Sequence, residues 1–353
     1  MEKLKFKGDR VILVIVILLS LLSVMMIASA GDRWMEQIRN FGVGFFLLFL
    51  FYHIDYRNVS RFATPLLILS GVLLVYSSIY SSGARTVSLF GMDLQIFYFI
   101  GFCVLRYMAK YMAKKLNHEE ELSLREVIKL FGIILIFCGG IFLSNQSTAI
   151  ILFCTCIVLL FVGRVKTLWL TAFCGTMLIA VLLAFALNIG RVQTFKNRVT
   201  YWWNDRITPG MDKDYGKQAI LSRAAISTAS WLPTHVGTGN IKKALPEKDN
   251  DYVYAVLVEE MGLIVGIFVL FAYLFILFRT MRIARNADGA FAMLLAYGIG
   301  IWFCMQAMIH IGVNSFFIPA TGQTLPFISR GGVSLAISGA AIGMLLNISK
   351  KEM

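Results

Sequence analysis

Runs of about 17–25 predominantly apolar residues recur along this chain, and they restrict its fold more than any other feature. That length matches the hydrocarbon core of a bilayer, where a crossing backbone must satisfy its own hydrogen bonds and therefore forms helices. About ten such runs can be read, near Val11–Ala28, Phe41–Tyr52, Phe62–Tyr80, Leu94–Met112, Val127–Leu143, Thr148–Val162, Leu168–Leu187, Val253–Phe278, Ala290–Val313 and Val333–Ile348, the second being the shortest. At 58% hydrophobic and 15% charged, the 353 residues carry more apolar surface than a soluble core needs. The expected fold class is all-α: a polytopic integral membrane protein of about ten transmembrane helices. It forms a single membrane domain over residues 1–353, with one large extracytoplasmic loop at about 188–252.

The net charge of +13 invites a nucleic-acid reading, but its distribution argues against one. Lysine and arginine gather in alternate loops: Lys3, Lys5, Lys7 and Arg10; Arg57 and Arg61; Arg106, Lys110, Lys114, Lys115, Arg125 and Lys129; Arg164 and Lys166; Arg279, Arg282 and Arg285; Lys350 and Lys351. The positive-inside rule then puts both termini in the cytoplasm, in keeping with an even number of spans. Ala28-Ser29-Ala30 resembles a signal-peptidase site, but the apolar run before it is long for a signal peptide, and a retained helix is expected. All six cysteines lie inside hydrophobic spans without metal-like spacing, and they read as small buried hydrophobes. Gly262-x-x-x-Gly266 and Gly339-x-x-x-Gly343 read as sites of close helix packing.

Two segments break the apolar pattern. The loop from Asn188 to about Tyr252 interleaves basic residues with Tyr201, Trp202, Trp203 and Trp231, a mixture suited to lipid headgroups. Within it, Lys217 to Trp231 has helical composition. It either lies in or dips into the interface, or belongs to a solvated loop resting on headgroups. The second segment, Ile318 to Gly332, holds two of the six prolines, three glycines, Thr321, Thr324, Ser329 and Arg330. Irregular backbone at membrane depth is tolerated only when buried in protein or lining a wet cavity, so this loop has the character of a site.

Several polar residues are candidates for chemistry. Asp251 stands where the large loop enters a helix, as an N-cap or as a functional carboxylate. Glu259 and Glu260 follow roughly 12–14 Å further along a straight helix, where carboxylates face a cavity or a basic partner, and Arg330 is a partner of the right type. Gln306, His310 and Asn314 recur every fourth residue and share a helix face, which beside the Pro/Gly loop is expected to line a cavity. Asn145, Gln146, Ser147 and Thr148 form another polar group, whereas Gly237-Thr238-Gly239 lacks the context of a phosphate loop.

Together these residues resemble the SEDS (shape, elongation, division and sporulation) family of polytopic peptidoglycan glycosyltransferases, typified by RodA and FtsW, over most of the chain. The similarity is strongest at Pro319-x-Thr321-Gly322-x-x-Leu325-Pro326-Phe327-Ile328-Ser329-x-Gly331-Gly332-x-Ser334, then at Leu245-Pro246 through Asp251 and at Glu259-Glu260-x-Gly262. Gln218, Ser222 and Arg198 fit the large-loop pattern, Ser147-Thr148-Ala149 the fifth-loop motif, and Gly83-Ala84-Arg85 the start of the third-loop motif. The chain departs from the family pattern at several places. After Gln95, Ile96-Phe97-Tyr98 replaces Pro-Ser-Glu, and Gly101 stands where a basic residue is usual. Asn145-Gln146 replaces Pro-Asp, and Arg330 and His310 stand where many members have Tyr and Asn.

The resemblance implies that lipid II is polymerised outside the membrane. The acceptor hydroxyl attacks C1 of the donor glycan and displaces undecaprenyl pyrophosphate with inversion. Asp251 is then the general base, because a sugar hydroxyl is a poor nucleophile until a carboxylate accepts its proton. Arg198, Arg330 and Arg85, in that order, are candidates to stabilise the pyrophosphate charge, and Gln218, Ser222, Glu260 and His310 complete the substrate-binding set. No cofactor is required, with a divalent cation (Mg or Mn) as a possible addition. The implied partner is a class B penicillin-binding transpeptidase, and Ser329-Arg330-Gly331-Gly332 with the short tails points to the division type. The rival reading is a transporter that flips the lipid-linked precursor using Glu259, Glu260 and His310 as a proton path. A scaffold without chemistry is a third.

Overall fold

A computed structural model of the chain describes residues 7–30, 34–80, 87–89, 92–94, 96–188, 192–207, 217–233, 237, 239–245 and 248–350. The helices run in the order α1 (Arg10–Ala30), α2 (Trp34–His53), α3 (Tyr56–Arg61), α4 (Ala63–Tyr80), α5 (Ile96–Leu116), α6 (Leu124–Ser144), α7 (Gln146–Val162), α8 (Thr167–Ala186), α9 (Val192–Ile207), α10 (Lys217–Ser227), α11 (Asn240–Ala244), α12 (Val253–Asn286), α13 (Ala290–Asn314) and α14 (Gly332–Ser349). Every expected span falls on a helix. Among the described residues seven helices (α1, α5, α6, α8, α12, α13 and α14) are long and apolar enough to cross a bilayer, and α4 and α7 are shorter apolar helices. A small antiparallel ribbon, β1 (Val87–Leu89) on β2 (Met92–Leu94), is the one departure from an all-helical chain among the described residues.

One hydrophobic core joins α1, α2, α4–α8 and α12–α14. α1 is built into it, with Ile12, Val16, Leu19 and Ser23 fully buried. The tightest seam is between α2 and α14. A Cβ on Gly339 would sit 2.0 Å from the Gly44 carbonyl oxygen, and one on Gly343 would sit 2.3 Å from that of Leu48. The backbones touch there, so the expected packing role of this glycine pair holds. α8 is at the other extreme, burying only Leu170 and Phe173.

The large loop is folded into α9, α10 and α11 and docked on the bundle. Ser222 and Ala225 of α10 are fully buried, so the loop does not rest as a solvated strap on headgroups. Its docking depends on a break in α12. Gly262 has φ 86° and ψ 167°, a region open only to glycine, and divides the helix in two. The amides of Leu263 and Ile264, freed by the break, donate to the carbonyls of Ser230 (2.9 Å) and Trp231 (3.3 Å) in the loop. The two halves lean together: a Cβ on Gly266 would meet Val258 at 2.6 Å and the Tyr254 hydroxyl at 3.1 Å. In a straight helix those residues would lie roughly 12–18 Å away along the axis. Gly262-x-x-x-Gly266 is therefore a kink and its landing point, not a groove for a second helix. The stretch from Leu263 to Asn286 is roughly 36 Å long and can cross a bilayer by itself. The segment Val253–Met261 becomes a side arm, and the depth expected for Glu259 and Glu260 along a straight helix does not apply.

Candidate active site

The Pro/Gly loop between α13 and α14 is held from many sides. Its backbone takes positive φ at Phe316 (62°), Gly322 (68°) and Phe327 (63°), values that persist in bulky residues only where the surroundings over-determine them. Those surroundings are specific. Arg198 of α9 donates to the Ala320 carbonyl (3.0 Å) and Ser147 of α7 to that of Thr321 (3.3 Å). His310 Nδ1 of α13 donates to the Gln323 carbonyl (2.6 Å), Tyr273 of α12 donates to that of Pro326, and Ser23 of α1 to that of Ile328 (2.6 Å). The Gln323 side chain donates to Thr148 (2.9 Å), while the Tyr98 hydroxyl of α5 meets Thr324 Oγ1 at 2.8 Å and donates to Gln323 Oε1 at 3.2 Å. Tyr98 thus supplies a loop contact from the stretch that departs from the family pattern. At the second departure, a Cβ on Gly101 would lie 2.5 Å from the Trp302 ring, so the missing side chain is occupied space.

This loop grips the turn that carries Asp251. The amide of Arg330 donates to the Asp249 carbonyl (2.8 Å), and Ser329 Oγ donates to that of Asn250 (2.8 Å). Asn314 Nδ2, at the end of α13, donates to the carbonyl of Asp251 (3.1 Å), while Asn314 Oδ1 accepts from the amide of Ala255 (2.9 Å). Three successive carbonyls are thereby fixed and the Asp251 side chain is partly exposed. The N-cap of α12 is Tyr252, with no side-chain cap, so the capping alternative for Asp251 is not realised. Arg330 lies on the same wall, its guanidinium 3.9 Å from the Asp249 carboxylate.

Other expected site residues are placed differently. Arg330 is not the partner of the two glutamates. Glu260 is fully buried, with Oε1 accepting from Lys242 (2.7 Å) and Oε2 from Ser29 (2.5 Å), which leaves no carboxylate oxygen free to face a ligand. Glu259 accepts from the amides of Ile241 (2.9 Å) and Lys242 (3.1 Å) at the start of α11. Ser222 is buried with its hydroxyl donating to the Asn314 carbonyl (2.9 Å), so it seats α10 on α13 and does not reach a ligand. His310 is likewise buried and turned onto the Pro/Gly loop, its Nε2 without a partner. Of the three residues expected to line a cavity, Gln306 borders a water-sized space of about 20 Å³, while His310 and Asn314 are buried and hydrogen-bonded to the Pro/Gly loop and the Asp251 turn. Gln218 is half-buried on α10, and Arg85 lies outside the described residues.

The profile of the cell cycle protein family that takes in FtsW, RodA and SpoVE matches residues 9–353. The chain belongs to this family. It is 30% identical to a probable peptidoglycan glycosyltransferase FtsW of Escherichia coli O6:H1 over 96% of this chain and 85% of that protein. It is 27% identical to stage V sporulation protein E of Bacillus subtilis over 98% of both chains. The rod shape determining protein RodA of Thermus thermophilus superposes with a TM-score of 0.72 at 19% identity, over 100% of this chain and 99% of that one. A chain from a structure concerned with polymerization and crosslinking by a peptidoglycan synthase complex superposes with a TM-score of 0.80 at 21% identity, over 98% of both. The FtsW-like character expected from Ser329-Arg330-Gly331-Gly332 agrees with these relatives.

Two site residues escaped the sequence reading in their actual roles. Asn314 was visible as part of a polar helix face, but its bridge between Asp251 and Ala255 was not. Lys242 carried no local signal beyond being one of several loop lysines.

Proposed function

We propose that this FtsW/RodA/SpoVE-family protein is a peptidoglycan glycosyltransferase that polymerises lipid II into glycan strands at the outer face of the bacterial cytoplasmic membrane. It spans that membrane several times with both termini inside. The observation that carries the reading is the rigid coupling of the Asp251 turn to the Pro/Gly loop through two carbonyl hydrogen bonds, with a third from Asn314 of α13. A general base must be held in place while a hydroxyl approaches it, and this turn is held on two sides.

Asp251 takes the proton of the acceptor hydroxyl as that oxygen bonds to C1 of the donor glycan. The C1–O bond to undecaprenyl pyrophosphate breaks, and the diphosphate leaves with the electron pair. Because diphosphate is a good leaving group once its charge is met, the paired carboxylates of glycosidases are not needed. Arg198, bonded to the Ala320 carbonyl, and Arg330, beside Asp249, are the candidates to meet that charge, with Arg85 a further one. The reaction is expected to need no cofactor. Among the described residues no three His, Cys, Asp or Glu side chains group into a metal cage. The unpartnered Oδ1 atoms of Asp249 and Asn250 are hard oxygen donors of the type that holds Mg²⁺ or Mn²⁺ together with substrate oxygens. Such an ion would neutralise diphosphate charge.

The prenyl tails fit the groove between α6, α7 and α8, about 620 Å³ in volume and apolar except for Gln146. A class B penicillin-binding transpeptidase is the fitting partner, a reading supported by the likeness to a chain from a structure concerned with polymerization and crosslinking by a peptidoglycan synthase complex. The division type is favoured. Against a proton-coupled flippase, Glu259, Glu260 and His310 are all engaged within the protein.

The test is direct. Purified protein given fluorescent lipid II should yield glycan polymer on a gel, and Asp251→Asn should yield none while keeping the parent's melting temperature. Full polymer from Asp251→Asn would overturn the base assignment. Lipid II crossing liposomes without polymerisation would favour the carrier. Asp251 variants that support growth while making no polymer would favour a scaffold.

A further inference from the structure

The side arm of α12 that begins two residues after Asp251 is pinned at its far end by a buried ionic cluster that the proposed mechanism does not use. Lys242 of α11 and Glu260 of α12 pair at 2.7 Å with side chains 5% and 0% exposed. Ser29, at the end of α1, completes the cluster. It accepts from Lys242 through both its hydroxyl and its carbonyl, and it donates to the second oxygen of Glu260. The next carboxylate, Glu259, receives the amides of Ile241 and Lys242, so both acidic side chains clasp the same short helix. Gly262 then releases the arm from the rest of α12, and the loop carbonyls of Ser230 and Trp231 take up the freed amides.

Apolar packing of Val253, Val256, Leu257 and Val258 keeps the arm in the core but is non-directional, so the cluster supplies the directional contacts at the Gly262 end. With it, the arm is fixed at both ends: by Asn314, Ser329 and Arg330 at the Asp251 end, and by Lys242, Glu260 and Ser29 at the kink. A buried ion pair is a weak source of stability, since hydrophobic replacement is often neutral, but it fixes geometry where charges must meet. We infer that Lys242, Glu260 and Ser29 form a positioning cluster that holds the Asp251 arm in register with the Pro/Gly loop. This rests on Asp251 being the base, and it assigns Glu260 a role through Lys242 instead of through substrate.

The cluster acts about nine residues from Asp251, so its effect should appear in turnover and not in substrate affinity. The double variant Lys242→Met/Glu260→Leu removes both charges together and avoids stranding one of them in the interior. It should keep the parent's melting temperature within a few degrees, lower kcat about 10–100-fold as expected for a misplaced catalytic group, and leave KM for lipid II within about twofold. Ser29→Ala, which removes only the hydroxyl, should show a smaller fall in kcat of the same kind. A second readout does not depend on activity. Nitroxide labels at Lys248→Cys and His118→Cys, in a background with the native cysteines replaced, should give a narrow distance distribution in the parent and a broadened one in the double variant. If kcat per folded molecule and the distance distribution are both unchanged, the cluster is structural only and the proposal is overturned. If the double variant does not fold, the Ser29→Ala distribution decides: broadening supports the role, and a parent-like width overturns it. Active Asp251→Asn protein would refute the base assignment, while the distance distributions would still judge the positioning.

Discussion

Replacing Gly262 with alanine tests the kinked helix on which the site geometry depends. At φ 86° and ψ 167° an L-residue is strained by about 1–3 kcal/mol. The added Cβ would also sit 2.7 Å from the Trp231 carbonyl oxygen and 2.8 Å from the Leu232 carbonyl carbon. Both are backbone atoms that no rotamer change can move aside. Shifting that segment weakens the bonds from Leu263 and Ile264 to the loop, at about 0.5–1.5 kcal/mol each. Together these effects come to about 2–6 kcal/mol. The apparent melting temperature in detergent should fall by roughly 4–12 °C, using about 2 °C per kcal/mol for a large chain. Retention of the monomer peak on size exclusion after heating would measure this. Gly132→Ala in α6 and Gly175→Ala in α8 serve as controls, because a Cβ at either position meets nothing within 4 Å. Both should be neutral or stabilised by up to about 1 kcal/mol. A Gly262→Ala protein that melts with the parent would refute the kink and its docking by the loop.

Asn314→Ala should lower stability by about 1–3 kcal/mol, because it removes the buried bonds to Asp251, His310 and Ala255, although the Ala255 amide keeps its bond to the Tyr252 carbonyl. Its turnover of lipid II should fall further than its folded fraction, read by polymer yield per folded protein. Gly339→Ala should separate α2 from α14, since the new Cβ would lie 2.0 Å from the Gly44 carbonyl, and a large loss of monodisperse protein is expected. Normal yield would mean that the two backbones do not touch. Arg198→Ala should weaken polymerisation more than it weakens folding; if only expression falls, its bond to Ala320 is the whole of its role.

Much of the architecture was legible in the sequence because lipid is a stringent solvent. A long apolar run has few options, so each expected span meets a helix, and the Gly339-x-x-x-Gly343 spacing reported a backbone contact that only glycine permits. The concentration of proline, glycine and polar side chains after Ile318 marked the loop that grips the Asp251 turn, because such backbone survives at depth only when other groups satisfy it. These are local signals. Periodicity, composition and conformational permission can all be read over a few turns of chain.

The pairings could not be read this way. Ser29 meets Lys242 across 213 residues, and Ser23 meets Ile328 across 305, so no window of sequence contains both partners. For the same reason Arg330, the nearest plausible cation by type, was matched to glutamates that in fact belong to Lys242 and the amides of α11. The kink at Gly262 was hidden because a glycine inside an apolar run looks the same whether it packs a neighbour or breaks its own helix. The chain's chemistry thus determined which segments enter the membrane and which residues could react. Only the tertiary structure decided which of them stand beside the Asp251 turn and which are tied up in contacts elsewhere in the protein, because hydrogen-bond and ion-pair partners are chosen by proximity in space.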